Sequence, residues 1–278
     1  SLLVTGGHDH VIRFWRTSDG TLERTLAAPE SEGSVVAFSP DARIALWRRV
    51  IPAANVVAFD WLDLGSGKVI AGPYTRIAGT RVRPGFSPDG TRLALGDQNG
   101  PVTILDGRSG QVVASGIKHP GSLERVEWSP DGRRLLTEGS NEILVWDAAT
   151  GTQSLAPLRM PGGSVRAGHW SPDGRFITTR HHKTNDLVWE ARVWDAATGE
   201  AVTPLLRHSG DIRILFMTRS QRLITASDPG LLRAWDLKET PLPPDVLADY
   251  AKLLSGRRLN AAGMMLPLKP EELAELFQ

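Results

Sequence analysis

Ser171-Pro172-Asp173-Gly174-Arg175-Phe176-Ile177-Thr178-Thr179, followed shortly by Ala191-Arg192-Val193-Trp194-Asp195-Ala196-Ala197-Thr198-Gly199, decides the fold. Ser-Pro-Asp-Gly reads as a tight turn, with Pro presetting φ at the second position and Asp and Gly suited to the sites after it. The runs that follow are short and rich in β-branched and aromatic residues, as strands are. Thr198-Gly199 is a second turn. Upstream, residues 165–170 form another β-compatible run. Downstream, residues 200–206 supply a fourth strand, in which Pro204 fits only at a sheet edge. Residues 165–207 therefore read as four antiparallel strands.

Both strings recur. Ser-Pro-Asp begins at Ser39, Ser87, Ser129 and Ser171, at intervals of 48, 42 and 42 residues, and the degenerate Thr218-Arg219-Ser220-Gln221 follows 47 later. The second string is clean at Trp146-Asp147 and Trp194-Asp195, and lacks its glycine after Trp235-Asp236. Degenerate copies are Trp15-Arg16, Leu62-Asp63 and Leu105-Asp106. One Ser-Pro-Asp-like string falls in each interval of the second series. Two periods that stay in phase in this way define a repeat protein.

Composition narrows the function classes. The 278 residues carry 32 Lys+Arg against 31 Asp+Glu, a formal net charge of +1, so no global field draws the chain to nucleic acid or an acidic membrane. The absence of cysteine removes disulfides, thiolate catalysis and sulfur-ligated zinc. No run of 18 apolar residues offers a membrane-spanning helix. The 28 Gly and 19 Pro are spread along the chain, and nine Trp against two Tyr suggest one site per unit for a large ring. The chain begins at Ser1 in mid-pattern, and we expect a longer, cytoplasmic parent.

On the phased motifs, residues 1–237 resemble the WD-repeat β-propeller family. The resemblance implies an all-β propeller of four-stranded antiparallel blades. Six units are countable, incomplete at both ends, and the expected parent ring has seven blades. The first unit enters at its second strand, and the last lacks an outer strand. The family's structural hydrogen-bond chain of His, Ser/Thr, Asp and Trp falls on His119, Thr137 and Trp146, on His208, Thr225 and Trp235, and on Thr5, Asp9 and Trp15. Trp194 takes the same position as Trp146. Asp147, Asp195 and Asp236 then read as structural turn or strand-end carboxylates. Leu62 and Leu105 replace Trp in two units, which packing rather than a polar chain is expected to hold. Residues 238–278 read as a linker and a short helical tail, with apolar residues at 246, 247, 250, 253 and 254. That tail resembles the segment after bacterial WD-repeat arrays, many of them fused to a serine/threonine protein kinase.

Chemistry is sparse. His8-Asp9-His10 and His181-His182 are the candidate metal pairs, but His8 and His10 sit in a turn between strands, adjacent strand residues such as His181 and His182 diverge, and no third ligand is apparent, so neither metal nor cofactor is expected. No nucleophile elbow, phosphate loop or dinucleotide fingerprint occurs. Two enlarged loops, residues 46–55 and 180–189, combine tryptophan with basic side chains, the types enriched in interface hot spots. Trp47, Arg48, Arg49, Arg180, His181, His182, Lys183 and Trp189 are therefore candidate binding residues, with Arg166 and Arg213 near the channel mouth. The expected function is a non-catalytic scaffold that docks a protein or peptide partner through an acidic segment, with no nucleic acid and no membrane insertion. The alternatives are a propeller hydrolase or quinone-dependent enzyme, which needs converging acids or a metal cluster in the channel, and a spacer without a ligand.

Overall fold

The computed structural model describes residues 2–6, 9, 11–27, 33–77, 83–139, 141–159, 163–183, 189–228, 230–237, 257–259 and 265–267. The chain divides into two compact units, Ser1–Asp236 and Leu237–Gln278. The first unit is a series of six antiparallel sheets, each meandering in chain order, so it is an all-β propeller. Blade 1 holds β1 (Leu2–Gly6), β2 (Val11–Arg16) and β3 (Leu22–Ala27). Blade 2 holds β4 (Gly33–Phe38), β5 (Ile44–Ile51), β6 (Val56–Asp63) and β7 (Val69–Ile77). Blade 3 holds β8 (Gly85–Phe86), β9 (Arg92–Gly96), β10 (Pro101–Asp106) and β11 (Val112–Lys118). Blade 4 holds β12 (Arg125–Trp128), β13 (Arg134–Gly139) and β14 (Glu142–Asp147), and bridges from Trp146 to Gln153 and Ile143 to Leu158 trace its outer strand. Blade 5 holds β15 (Gly163–Trp170), β16 (Phe176–Lys183), β17 (Trp189–Asp195) and β18 (Leu206–His208). Blade 6 holds β19 (Ile212–Met217), β20 (Arg222–Ser227) and β21 (Leu231–Asp236). No α-helix occurs among the described residues.

Local turn chemistry explains the period. In the Ser-Pro-Asp-Gly turn the Ser87 hydroxyl donates to Asp89 Oδ1 at 2.5 Å and accepts the Arg92 N–H at 3.0 Å, and Ser39, Ser129 and Ser171 repeat the pattern. The fourth position has φ near +70° at Gly90, Gly132 and Gly174, and the degenerate copies force Ala42 and Gln221 into the same left-handed region. In the second turn, Asp147 Oδ1 accepts the N–H and the hydroxyl of Thr150, and Asp195 does the same with Thr198. Ser66 and Ser109 serve Asp63 and Asp106. Asp236 pairs with Arg222 at 3.8 Å.

These bonds carry a pH dependence. The Thr150 and Thr198 N–H groups hold the Asp147 and Asp195 carboxyls below the usual range, and the Ser39, Ser66 and Ser87 hydroxyls do so for Asp41, Asp63 and Asp89. Burial, followed by the charge of Arg233, lowers His208 as well. In every case the unfolded chain binds more protons than the folded one, so acid erodes stability. The thermal midpoint should begin to fall below about pH 6.5 as His208 charges and drop more steeply below about pH 4 as the turn aspartates protonate. A midpoint constant from pH 7 to pH 3 in a thermal melt series would overturn this.

The core lies between successive blades. Ile12 and Phe14 of blade 1 pack with Ala45, Leu62 and Leu64 of blade 2, and Leu46, Phe59 and Trp61 of blade 2 with Leu93, Leu95 and Leu105 of blade 3. Trp146 joins Val102, Ile104 and Ile117 of blade 3, and Trp194 joins Leu136, Ile143 and Val145 of blade 4. Leu62 and Leu105 are fully buried at the position that Trp146 and Trp194 take, so that site is apolar in every one of these blades. The indole N–H of Trp146 donates to Thr137 Oγ1 at 2.8 Å, and His119 Nδ1 lies 2.9 Å from the same oxygen. Trp15 donates to Thr5, Trp194 to Thr179 and Trp235 to Thr225. His208 does not reach Thr225. Its Nδ1 pairs with Ser227 Oγ at 3.1 Å, a hydroxyl for which blade 4 has Gly139. Asp9 is engaged by Arg13 at 2.6 Å and by the Val11 N–H rather than by a histidine–tryptophan chain among the described residues.

The end blades have open sides. Leu2 and Leu3 of β1 are exposed, as are Phe216, Leu231 and Leu232 of blade 6, Leu232 to 68%. In the second unit, β22 (Arg257–Leu259) and β23 (Met265–Pro267) form an antiparallel hairpin. The amphipathic stretch expected at residues 245–254 lies outside the described residues.

Candidate functional site

The two segments read as enlarged loops are the long arms of hairpins. β5 and β6 stay paired out to Ile51 and Val56 and close through a short 3-10 turn, Pro52–Ala54, while β16 and β17 pair through His182 and Trp189. Strand pairing turns half of these side chains inward. Trp47 and His181 are each 1% exposed and face the core, not solvent. Arg49 donates to Asp60 at 2.7 Å, and Arg48 is half-buried. The His182 ring lies against Trp189 at 4.6 Å, with the Arg180 guanidinium 5.5 Å from the Trp189 ring centre. The Lys183 side chain and residues 184–188 are outside the described set, as are His8 and His10. Among the described residues, no group of three His, Asp or Glu side chains converges to hold a metal.

A cavity of about 610 Å³ opens instead on the inner strands of blades 3 to 5, within the usual size of a ligand site. Arg83, Glu124, Arg125, Glu138, Arg166, His169 and Arg180 line it with Pro84, Val126 and Ala167. Arg166 and Arg180 were expected near the channel mouth or on the rim. Arg83, Arg125, Glu138 and His169 were not singled out. The signal was present: Arg83 and Arg125 each stand four residues before the serine of a Ser-Pro-Asp-Gly turn, Arg166 stands five before Ser171, and Arg213 five before Thr218 of the degenerate turn. Irregular pairing between Arg166 and His169, and between Ile212 and Ile214, absorbs the extra residue.

Glu138 of β13 fixes that irregularity in blade 5. Its carboxylate is 6% exposed and accepts the N–H of Ala167 at 2.8 Å and of Gly168 at 3.1 Å, with Ala167 at φ +53°. Gly168 packs close to blade 4, where a Cβ would stand 2.7 Å from Ile143 Cδ1 and push that side chain aside. Arg166 precedes the bulge and His169 follows it, and both line the cavity.

Most of the lining cations have partners. Arg125 donates to Glu127 at 2.6 Å and lies 2.9 Å from His169 Nε2. Arg166 is bonded to Glu124, both about half exposed. Arg180 is bonded to the Ile212 carbonyl and lies 3.4 Å from Asp211, which also holds Arg213 at 2.9 Å. The Asp228 carboxylate, hydrogen-bonded to Arg213 at 3.0 Å, raises that guanidinium further. Arg83 is exposed and has no acidic partner among the described residues. The arrangement offers preorganised guanidinium donors, one of them uncommitted, and suits carboxylate-bearing ligands.

Fold and site together define a β-propeller with a charged inner-strand cavity. No family model matches the chain. The target of rapamycin complex subunit LST8 of Mus musculus is 29% identical over 111 residues, 39% of this chain and 32% of that protein. The target of rapamycin complex subunit wat1 of Schizosaccharomyces pombe is 28% identical over 113 residues, 40% of this chain and 34% of that protein. The match thus spans about a third of each relative. Among solved structures, a chain of the mitotic checkpoint complex superposes with a TM-score of 0.60 at 19% identity, covering 86% of this chain and 74% of the other. The computationally designed Ika8 protein gives 0.60 at 16% identity, covering 84% and 68%. At these identities the structural likenesses show the fold alone. With the relatives, they support the WD-repeat resemblance.

Proposed function

We propose that this chain is a non-catalytic interaction module whose inner-strand cavity receives an acidic segment of a protein partner. The observation that carries the reading is the meeting of Arg83, Arg125, Arg166 and Arg180 from three adjacent blades around one cavity. The cavity's breadth across three blades suits an extended peptide. Arg180 joins it to the neighbouring hairpin arm, where His182 and Trp189 extend the contact surface, with Arg213 beyond. Relatives named as subunits of a complex are in keeping with a docking role within a larger assembly. We extend the proposal to a cytoplasmic bacterial parent with a seven-bladed ring. In that parent the module is the sensing or partner-docking part of a serine/threonine kinase. The exposed apolar sides of blades 1 and 6 are consistent with a further blade covering them.

The test is a double charge reversal, Arg83→Glu with Arg166→Glu, which avoids the buried bonds. Binding of a fluorescent glutamate-rich peptide should weaken by about tenfold or more and lose most of its salt dependence. An unchanged affinity and salt slope would remove the cavity as the docking site.

A further inference from the structure

We infer that His208 and Arg233 form an acid-sensitive latch, which lets mild acidification free blade 6 from blade 5 while the middle blades stay packed. The inference stands apart from the docking proposal. His208 ends β18, the outer strand of blade 5, and its ring is 2% exposed against blade 6. Nδ1 pairs with Ser227 Oγ on β20 at 3.1 Å, and the imidazole meets the Trp235 ring of β21 edge to face, with centres 6.1 Å apart. Nε2 is buried without a hydrogen-bond partner among the described residues. The tautomer with hydrogen on Nδ1 donates to Ser227 and leaves a bare lone pair at Nε2. A proton taken up there becomes a buried N–H with no acceptor beside it.

Arg233 opposes that proton further. Its guanidinium donates to the Arg207 carbonyl at 2.6 Å and lies 5.8 Å from the centre of the Trp235 ring that His208 also meets. The carboxylates on the surrounding elements are engaged elsewhere. Glu190 on β17 holds Arg207 at 3.0 Å, Asp211 and Asp228 beside β19 and β20 hold Arg213 at 2.9 and 3.0 Å, and Asp236 on β21 pairs with Arg222. Burial, and after it the charge of Arg233, hold the His208 pKa below its ordinary value. His119 takes the same place between blades 3 and 4, but the residue two before Trp146 is Leu144, where blade 6 has Arg233 before Trp235. A histidine set against an arginine is thus particular to the last interface. Once blade 6 lifts, the imidazole titrates as an exposed one does, near pH 6.5, so acidification below that favours the lifted form until the lowered value is reached. Blade 6 has an uncovered side, so the loss falls on its one packed interface. Opening it also parts Arg180 from the Ile212 carbonyl and Asp211, which ties the latch to the cavity wall.

The experiment is amide hydrogen exchange of the whole chain at about pH 7.5 and about pH 5.5, each rate divided by that of an unstructured peptide at the same pH. Protection of β20 and β21 should fall about tenfold, the factor for a group of ordinary value near 6.5 that is protonated only in the open form, while β13 and β14 of blade 4 change by less than about twofold. His208→Gln, which cannot titrate, should keep the protection of blade 6 level. NMR of the histidine rings in the original chain stands beside it: His208 should remain mostly neutral at about pH 6, and Arg233→Leu should move its titration upward. Level protection of blade 6 in the original chain overturns the latch. An equal fall in all blades does the same, since it places the acid response in the turn aspartates. An equal fall in His208→Gln, a His208 ring mostly charged at about pH 6, or a titration that Arg233→Leu leaves in place each overturns it whatever the other results.

Discussion

Replacing Trp146 with alanine should lower the stability of the propeller by about 3–5 kcal/mol, the range for truncating a buried tryptophan. The ring is 8% exposed and fills the space between blades 3 and 4, against Val102, Ile104, Ile117 and Trp128. Its loss opens a cavity that rigid strands on both sides cannot close. It also deprives Thr137 Oγ1 of the indole donor, leaving His119 as that oxygen's remaining side-chain partner. Trp146→Phe separates the two effects, since it keeps most of the packing and loses the hydrogen bond, and should cost about 1 kcal/mol more than the lost area alone. Trp194→Ala should match Trp146→Ala, because Trp194 is 6% exposed and donates to Thr179. Urea unfolding measures all three. A change under about 0.5 kcal/mol for either alanine variant would mean that the ring is not part of the packing between blades.

The second large effect is at Glu138. Substitution by alanine should cost about 2–4 kcal/mol, because two N–H groups, that of Gly168 buried and that of Ala167 half-buried, lose a charged acceptor at once. Ala167 already occupies the left-handed region at φ +53°, and the carboxylate is what compensates that conformation. Glu138→Gln, with a single carbonyl acceptor, should recover roughly half of the loss. The substitution should also weaken binding of acidic peptides, since the bulge no longer holds Arg166 and His169 towards one cavity. Urea unfolding and peptide titration of both variants provide the check. Wild-type stability in Glu138→Ala would show that the bulge holds itself.

The strands and turns were legible because their causes are local. A Ser-Pro-Asp-Gly turn is specified by four residues and a Trp-Asp turn by about six, so their phase fixes where strands begin and end. Trp47 was misplaced for a reason that the same phase reveals. It stands eight residues after Ser39, where Thr137 and Thr179 stand after Ser129 and Ser171. In blade 2 the large ring occupies the threonine's place and Leu62 the tryptophan's, so the pair exchanges its volumes. Read as a letter, Trp47 looked like a hot spot on a loop. Read as the partner of Leu62, it is core. The cavity was harder to see. Arg83 and Arg125 align by offset, but Arg166 and Arg213 fall one residue away, and a bulge that restores the match leaves no local mark in composition. Which carboxylate would claim which guanidinium depends on contacts across blades, such as that of Arg166 with Glu124, 42 residues apart in the chain.

The order of packing has a consequence for how the molecule opens. Blades 2, 3, 4 and 5 each have a packed neighbour on both sides, whereas blades 1 and 6 each present an uncovered apolar side. In a linear array, stability is close to a sum over units and the interfaces between them. A middle blade must break two interfaces to come loose and an end blade one. Where nothing covers blades 1 and 6, thermal fluctuations spend themselves there, as fraying does in a zipper. The cavity lies in the stretch that parts last, so a ligand held there meets walls that stay assembled while the outer sheets loosen and re-form.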